Sequence, residues 1–166
     1  MKWDGSAQPV EHRHIEEALK SEGLKYDWMH ISDRKYYLPT TRWTQEIGRD
    51  GLATEAVIHR RGHRALSYLA ESNDCDDRAR FTQTLMQDIF FKQYPQYRDA
   101  PLAVGQVRIM RWRGRDMAHR ACFFIEHGTL KVRYFDIEVI PYGPFSEIRF
   151  RPFGRLSDEH YELRDL

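Results

Sequence analysis

Residues Lys131–Val139 read KVRYFDIEV, and the way they alternate decides the fold. Phe135, Ile137 and Val139 fall on one side of an extended chain, and Tyr134, Asp136 and Glu138 fall on the other. A period of two marks a strand. An apolar row backed by a row that holds two carboxylates predicts an antiparallel sheet with one buried and one wet face.

The same texture continues on both sides. AVGQVRIMRWRG (103–114), HRACFFIEHG (119–128) and TLKVRYFDIEVIPYG (129–143) are divided by glycine-containing turns, and PFSEIRFRPFG (144–154) follows. Upstream, Phe81, Leu85 and Ile89 form one row at helical spacing, with Met86 and Phe90 in a second row beside it. Glu71, Asp74, Asp76 and Asp77 precede them, where carboxylates complement the positive end of a helix, and Pro95 closes the element. A central helix over about 77–94 is therefore expected. SDEHYELRDL (157–166), with Ser157 as N-cap, predicts a short closing helix.

The first half is less regular. YDWMHIS (26–32) and KYYLPTTRW (35–43) read as short extended segments, with Pro39 ending the second, and TQEIGRDG (44–51) reads as a loop turning at Asp50-Gly51. ATEAVIH (53–59) and RALSYLAES (64–72) read as two further strands. At the front, Pro9 suits the first turn of a helix that Gly23 would stop. Val10, Ile15, Ala18 and Leu19 make its one apolar stripe. Residues 1–25 are thus expected as a helical appendage, laid on the domain or on a partner. Residues 26–166 are expected as a single α+β domain: a twisted antiparallel sheet with the central and C-terminal helices packed on it.

Composition narrows the function. Hydrophobic residues make up 41% and aromatic residues 13% of the chain, which describes a globular protein. Twenty-six Lys and Arg against 25 Asp and Glu leave a formal charge of +1, so the chain is not a globally basic nucleic-acid binder. Cys75 and Cys122 are far apart and form no CxxC pair, and the sequence leaves open whether both are reduced. The longest clean apolar run, ACFFI, is far short of a membrane span, and no apolar leader opens the chain. A cytoplasmic protein is the expectation.

Four clusters are candidates for chemistry. In VIHRRGHRAL (57–66) and just before it, Glu55, His59 and His63 would stack on a helix at metal-ligating spacing. Gly62 and three arginines favour instead a hairpin tip joining two strands. From Val107 to Arg133 seven cations face two carboxylates. Arg108, Arg111, Trp112, Arg113, Arg133 and Tyr134 would form an Arg/aromatic sheet face, suited to a protein segment or to stacked single-stranded nucleic acid. Asp136, Glu138 and Glu147 would suit a divalent cation or acid/base work, but cross-strand pairing with Arg149 or Arg133 is their plainer use. His119 and Cys122, three apart on a strand, face opposite sides and make a poor base–nucleophile pair. No GxSxG, GxxxxGK[ST] or GxGxxG is present.

The second half resembles the PsbP/DcrB-like α+β fold group. The shared layout is a helix ending in KQYP, the strand VGQVRIM, the turn-and-strand RGRDMAHRACFFI, EHGTLKVRYFDIEVIPYG, SEIRFRPFG and a final helix. The resemblance covers about Tyr26 to Leu166 and is one of layout, without a shared motif. That group includes photosystem extrinsic proteins, bacterial DcrB-type proteins and adaptors that chaperone type VI secretion effectors. The resemblance implies a non-catalytic role: binding another protein through the sheet face or an edge, with a homodimer compatible. It implies no cofactor and offers no catalytic residue. Single-stranded nucleic-acid binding is the first alternative and a metal-dependent hydrolase the second.

Overall fold

A computed structural model describes residues 2–22, 33–47, 75–109, 119–142, 145–153 and 161–164. The strands expected over 26–32, 53–59 and 64–72, and the 57–66 hairpin, lie outside the described residues. What is described is an α+β arrangement with antiparallel sheets.

The chain enters as β1 (Val10–Glu11) and α1 (His12–Ser21), then β2 (Lys35–Tyr36) and α2 (Thr41–Glu46). Then come α3 (Cys75–Gln93) and a single 3₁₀ turn (Pro95–Tyr97), followed by β3 (Val104–Ile109) and β4 (His119–Ile125). The described chain ends with β5 (Val132–Tyr142), β6 (Phe145–Phe153) and β7 (Tyr161–Arg164). β1 and β2 form a two-stranded antiparallel sheet, and the other five strands form a second in the order β6-β5-β4-β3-β7.

Register explains why both faces of the large sheet are apolar at its centre. Val104 pairs with Phe124 and Cys122 with Phe135; all four belong to one core with Leu85, Met86, Ile89 and Phe90 of α3. One residue out of phase, Val107 pairs with Ala121 and Phe123 with Tyr134, and these share a second core with Ile15, Ala18 and Leu19 of α1. Strand alternation sends successive side chains to opposite faces, and each face has its own helix. Ile15 and Leu19 are fully buried, a gain of about 2 kcal/mol each by area. Of the two placements open to the N-terminal helix, this one lies on the domain.

Four expectations are corrected. Tyr134 is not on a wet face: α1 covers that end of the strand, and only 3% of Tyr134 is exposed. The C-terminal closing helix is replaced over Tyr161–Arg164 by β7, which pairs antiparallel with β3 from Gln106↔Arg164 to Ile109↔Tyr161. Without β7 the edge of β3 would leave a row of backbone groups unpaired, so the ladder overrides the weak capping signal. Thr41–Glu46 is a helix, not strand and loop, because Thr40 caps it: its hydroxyl oxygen accepts from the Trp43 N–H at 3.0 Å. Finally, α1 begins at His12, three residues after Pro9, because Val10 and Glu11 pair with Tyr36 and Lys35.

The segment that follows β2 is stitched on several sides. Ser6 N–H donates to the Leu38 carbonyl, and Leu38 N–H donates to Ser6 Oγ, both at 2.9 Å. Tyr37 N–H donates to the Pro101 carbonyl, and Ala103 N–H donates to the Tyr37 carbonyl. α3 is clipped to the start of β3 by two glutamines one turn apart. Gln83 Nε2 donates to the Val104 carbonyl, while Gln87 accepts from Leu102 N–H and donates to its carbonyl.

Candidate protein-binding surface

β5 is eleven residues long, but among the described residues β4 pairs with it only from Phe135↔Cys122 to Val132↔Ile125. From Asp136 to Tyr142, β5 pairs among the described residues with β6 alone, in unbroken register to Tyr142↔Phe145. Among the described residues the two strands thus run on as a two-stranded ribbon for seven residues beyond the last β4 pair. At about 3.3 Å per residue it reaches roughly 20 Å. β6 is the last strand in the order, and among the described residues no strand pairs with its outer side.

The register sorts the ribbon by chemistry. Ile137 stands opposite Phe150 and Val139 opposite Ile148, in phase with Phe135 of the α3 core. In the other phase Asp136 stands opposite Arg151, and Glu138 opposite Arg149. Oppositely charged residues at directly opposed positions favour the plainer use of these carboxylates, in cross-strand pairs. Glu147 differs, since it stands opposite Ile140.

Of the expected Arg/aromatic face, Arg108, Arg133 and Tyr134 fall among the described residues. Arg133 is exposed, but its guanidinium is tied to Glu126, with Nε at 3.0 Å and Nη2 at 2.7 Å from Oε2. Tyr134 is in the second core. Arg108 stands in register between Arg120 of β4 and Glu162 of β7. Arg111, Trp112 and Arg113 lie outside the described residues, as do Glu55, His59 and His63. Among the described residues no three His, Cys, Asp or Glu side chains gather as a metal site, and no helix is long and apolar enough to cross a membrane. Cys122 is a buried thiol whose sulfur lies 3.4 Å from the Ala79 carbonyl oxygen.

Two features had no sequence signal. Glu126, just past β4, accepts from Thr41 at the start of α2, from Thr129 at 2.8 Å and from Arg133. Burial pushes its carboxyl up, but those hydrogen bonds and the Arg133 charge outweigh it, and the net shift is downward. The second feature is Trp3, whose ring centroid lies 4.8 Å from Phe90 and 5.2 Å, edge-on, from Trp43. It anchors the N-terminal segment in the α3 core. Neither pattern is visible along the chain, because Thr41 is 85 residues from Glu126 and Trp43 and Phe90 are far from Trp3 in sequence.

Comparison with family models, with curated proteins and with solved structures finds no match to this chain.

Proposed function

We propose that the chain is a non-enzymatic accessory or adaptor protein that binds another protein along the outer edge of β6. The observation that carries this is the nine-residue strand β6, which among the described residues lies last in the sheet order and runs on with β5 beyond the last β4 pair, on a sheet whose central faces are already filled by α1 and α3. An edge strand presents unpaired backbone donors and acceptors, and an extended segment of a partner satisfies them by strand addition. The resemblance in sequence layout to PsbP/DcrB-like adaptors is in keeping with this reading. The setting proposed is the cytoplasm, in keeping with a buried Cys122 thiol.

A photo-crosslinking residue placed at Ser146 on β6, compared with one at exposed Thr84 on α3, tests the surface. Capture of a defined protein from β6 but not from α3 is expected. Equal capture from both, or none from β6, would overturn the edge reading. Single-stranded nucleic acid is the other outcome to look for: an oligonucleotide that binds at low salt and is released steeply by added salt would replace a protein partner with a phosphate backbone.

A further inference from the structure

We propose that the segment added along β6 is β6 of a second copy of this chain, so that a two-fold axis joins two five-stranded sheets into one. This rests on the reading that β6 is the binding edge; what it adds is the occupant and its register. Antiparallel pairing of a strand with itself, about an axis perpendicular to the sheet, sets same-face residues of the two copies opposite each other. The sequence of β6, FSEIRFRPF, then discriminates sharply between registers.

With the axis through Ile148, Glu147 of each copy stands opposite Arg149 of the other, and the two Ile148 residues oppose each other. Phe145 stands opposite Arg151, a cation–aromatic combination. Moving the axis to Glu147 sets Glu147 against its own copy, and moving it to Arg149 sets Arg149 against its own copy. Like charges directly opposed are destabilising, so the chain favours the Ile148 register and disfavours its neighbours. Glu147 supplies the second argument. Across β5 its opposite residue is Ile140, whereas Asp136 and Glu138 each have an arginine opposite. In the Ile148 register the second copy places an arginine, Arg149, at the position opposite Glu147. In the other phase the two Ile148 residues meet at the axis, and Phe150 of each copy stands opposite Ser146 of the other.

The test is a charge exchange read by sedimentation equilibrium on the full chain over a concentration series. Wild type is expected to dimerise. Glu147→Arg sets arginine against arginine at both symmetry-related pairs, and Arg149→Glu sets glutamate against glutamate at both. Each is expected to weaken the dimer by about tenfold. Mixed in equal amounts, the two variants are expected to associate with each other, since every arginine then faces a glutamate. The double variant Glu147→Arg/Arg149→Glu is expected to recover its own dimer. Recovery on mixing also shows that neither variant merely failed to fold. Wild type that stays monomeric, a dimer indifferent to both substitutions, or variants that do not re-associate on mixing would each overturn the proposal. Monomeric wild type that is still crosslinked to a different protein from Ser146 removes the second copy and leaves the edge reading standing. No capture from Ser146 removes both.

Discussion

Thr41 donates its hydroxyl hydrogen bond to Glu126 Oε1, and so ties the first turn of α2 to the β4–β5 connection 85 residues later. The backbone repeats the link one step on, where His127 N–H donates to the Pro39 carbonyl at 2.9 Å. Glu126 thereby holds α2, the turn and Arg133 of β5 at a single carboxylate.

That carboxylate should make stability depend on acidity. Burial opposes its charge, but hydrogen bonds from Thr41, Arg133 and Thr129 win, and the folded pKa lies below the unfolded value of about 4.3. Its contribution is complete above the unfolded pKa and is lost as pH falls through the folded one. Glu126→Gln should cost about 1–3 kcal/mol at neutral pH. Urea melts from pH 6 down to about pH 3 should show a smaller acid loss in the variant than in wild type. Equal slopes would mean that Glu126 is not the titrating group.

Gly5 is required by its surroundings. A Cβ there would come within 2.2 Å of Trp3 Cζ2 and 2.3 Å of the Leu38 carbonyl oxygen, and that oxygen is fixed by the Ser6 N–H. Gly5→Ala should therefore displace Trp3 from its contacts with Trp43 and Phe90 and cost about 1–3 kcal/mol. Near-ultraviolet circular dichroism should lose part of its aromatic signal. Trp3→Ala beforehand removes the ring clash but leaves the carbonyl, so the Gly5→Ala penalty should shrink without vanishing. An unchanged penalty would show that the ring plays no part in it.

How far the fold could be read from sequence depended on whether one signal or several pointed the same way. α3 was legible because its two apolar rows and Pro95 agree. β3 to β6 were legible because glycine turns punctuate alternating runs. The ending was not, since YELR alternates charge in a way that suits either a helix or an edge strand, and only the β3 ladder decides. Tyr134 was misplaced for a related reason. Asp136 and Glu138 suggest a wet face, but a face is buried only where something packs on it, and α1 packs on the part that holds Val132 and Tyr134. For the candidate surface, the sequence offered Arg149 or Arg133 as cross-strand partners of the carboxylates, and the register sets Arg149 opposite Glu138 while Arg133 lies on β5 itself.

α1 should behave as core rather than as appendage. Leu19→Ala removes a fully buried side chain between α1 and the β4–β5 face and should cost about 2–5 kcal/mol in urea unfolding. Glu17→Ala, on the exposed side of the same helix, should change stability by less than about 0.5 kcal/mol. Comparable small effects at both positions would return α1 to the status of an appendage.

Tyr37 sets an alkaline limit of the opposite sign. Its ring is buried between Phe90 and Tyr97, and its hydroxyl donates to Asp99 Oδ1 at 2.9 Å. Burial first, then the Asp99 hydrogen bond and charge, push its pKa up to about 12, against about 10 in the unfolded chain. A raised folded pKa gives stability that is complete below the unfolded value and lost as pH rises through the folded one, here between about pH 10 and about pH 12. Spectrophotometric titration of the folded protein should therefore leave one tyrosine protonated beyond about pH 11, and Tyr37→Phe should abolish that late step. Because Tyr37→Phe also leaves Asp99 without its donor, the variant should lose about 1 kcal/mol at neutral pH while its stability falls less steeply in the alkaline range. A late-titrating tyrosine that persists in Tyr37→Phe would assign the step to another residue, with buried Tyr94, whose pKa is also raised by burial, the first to test.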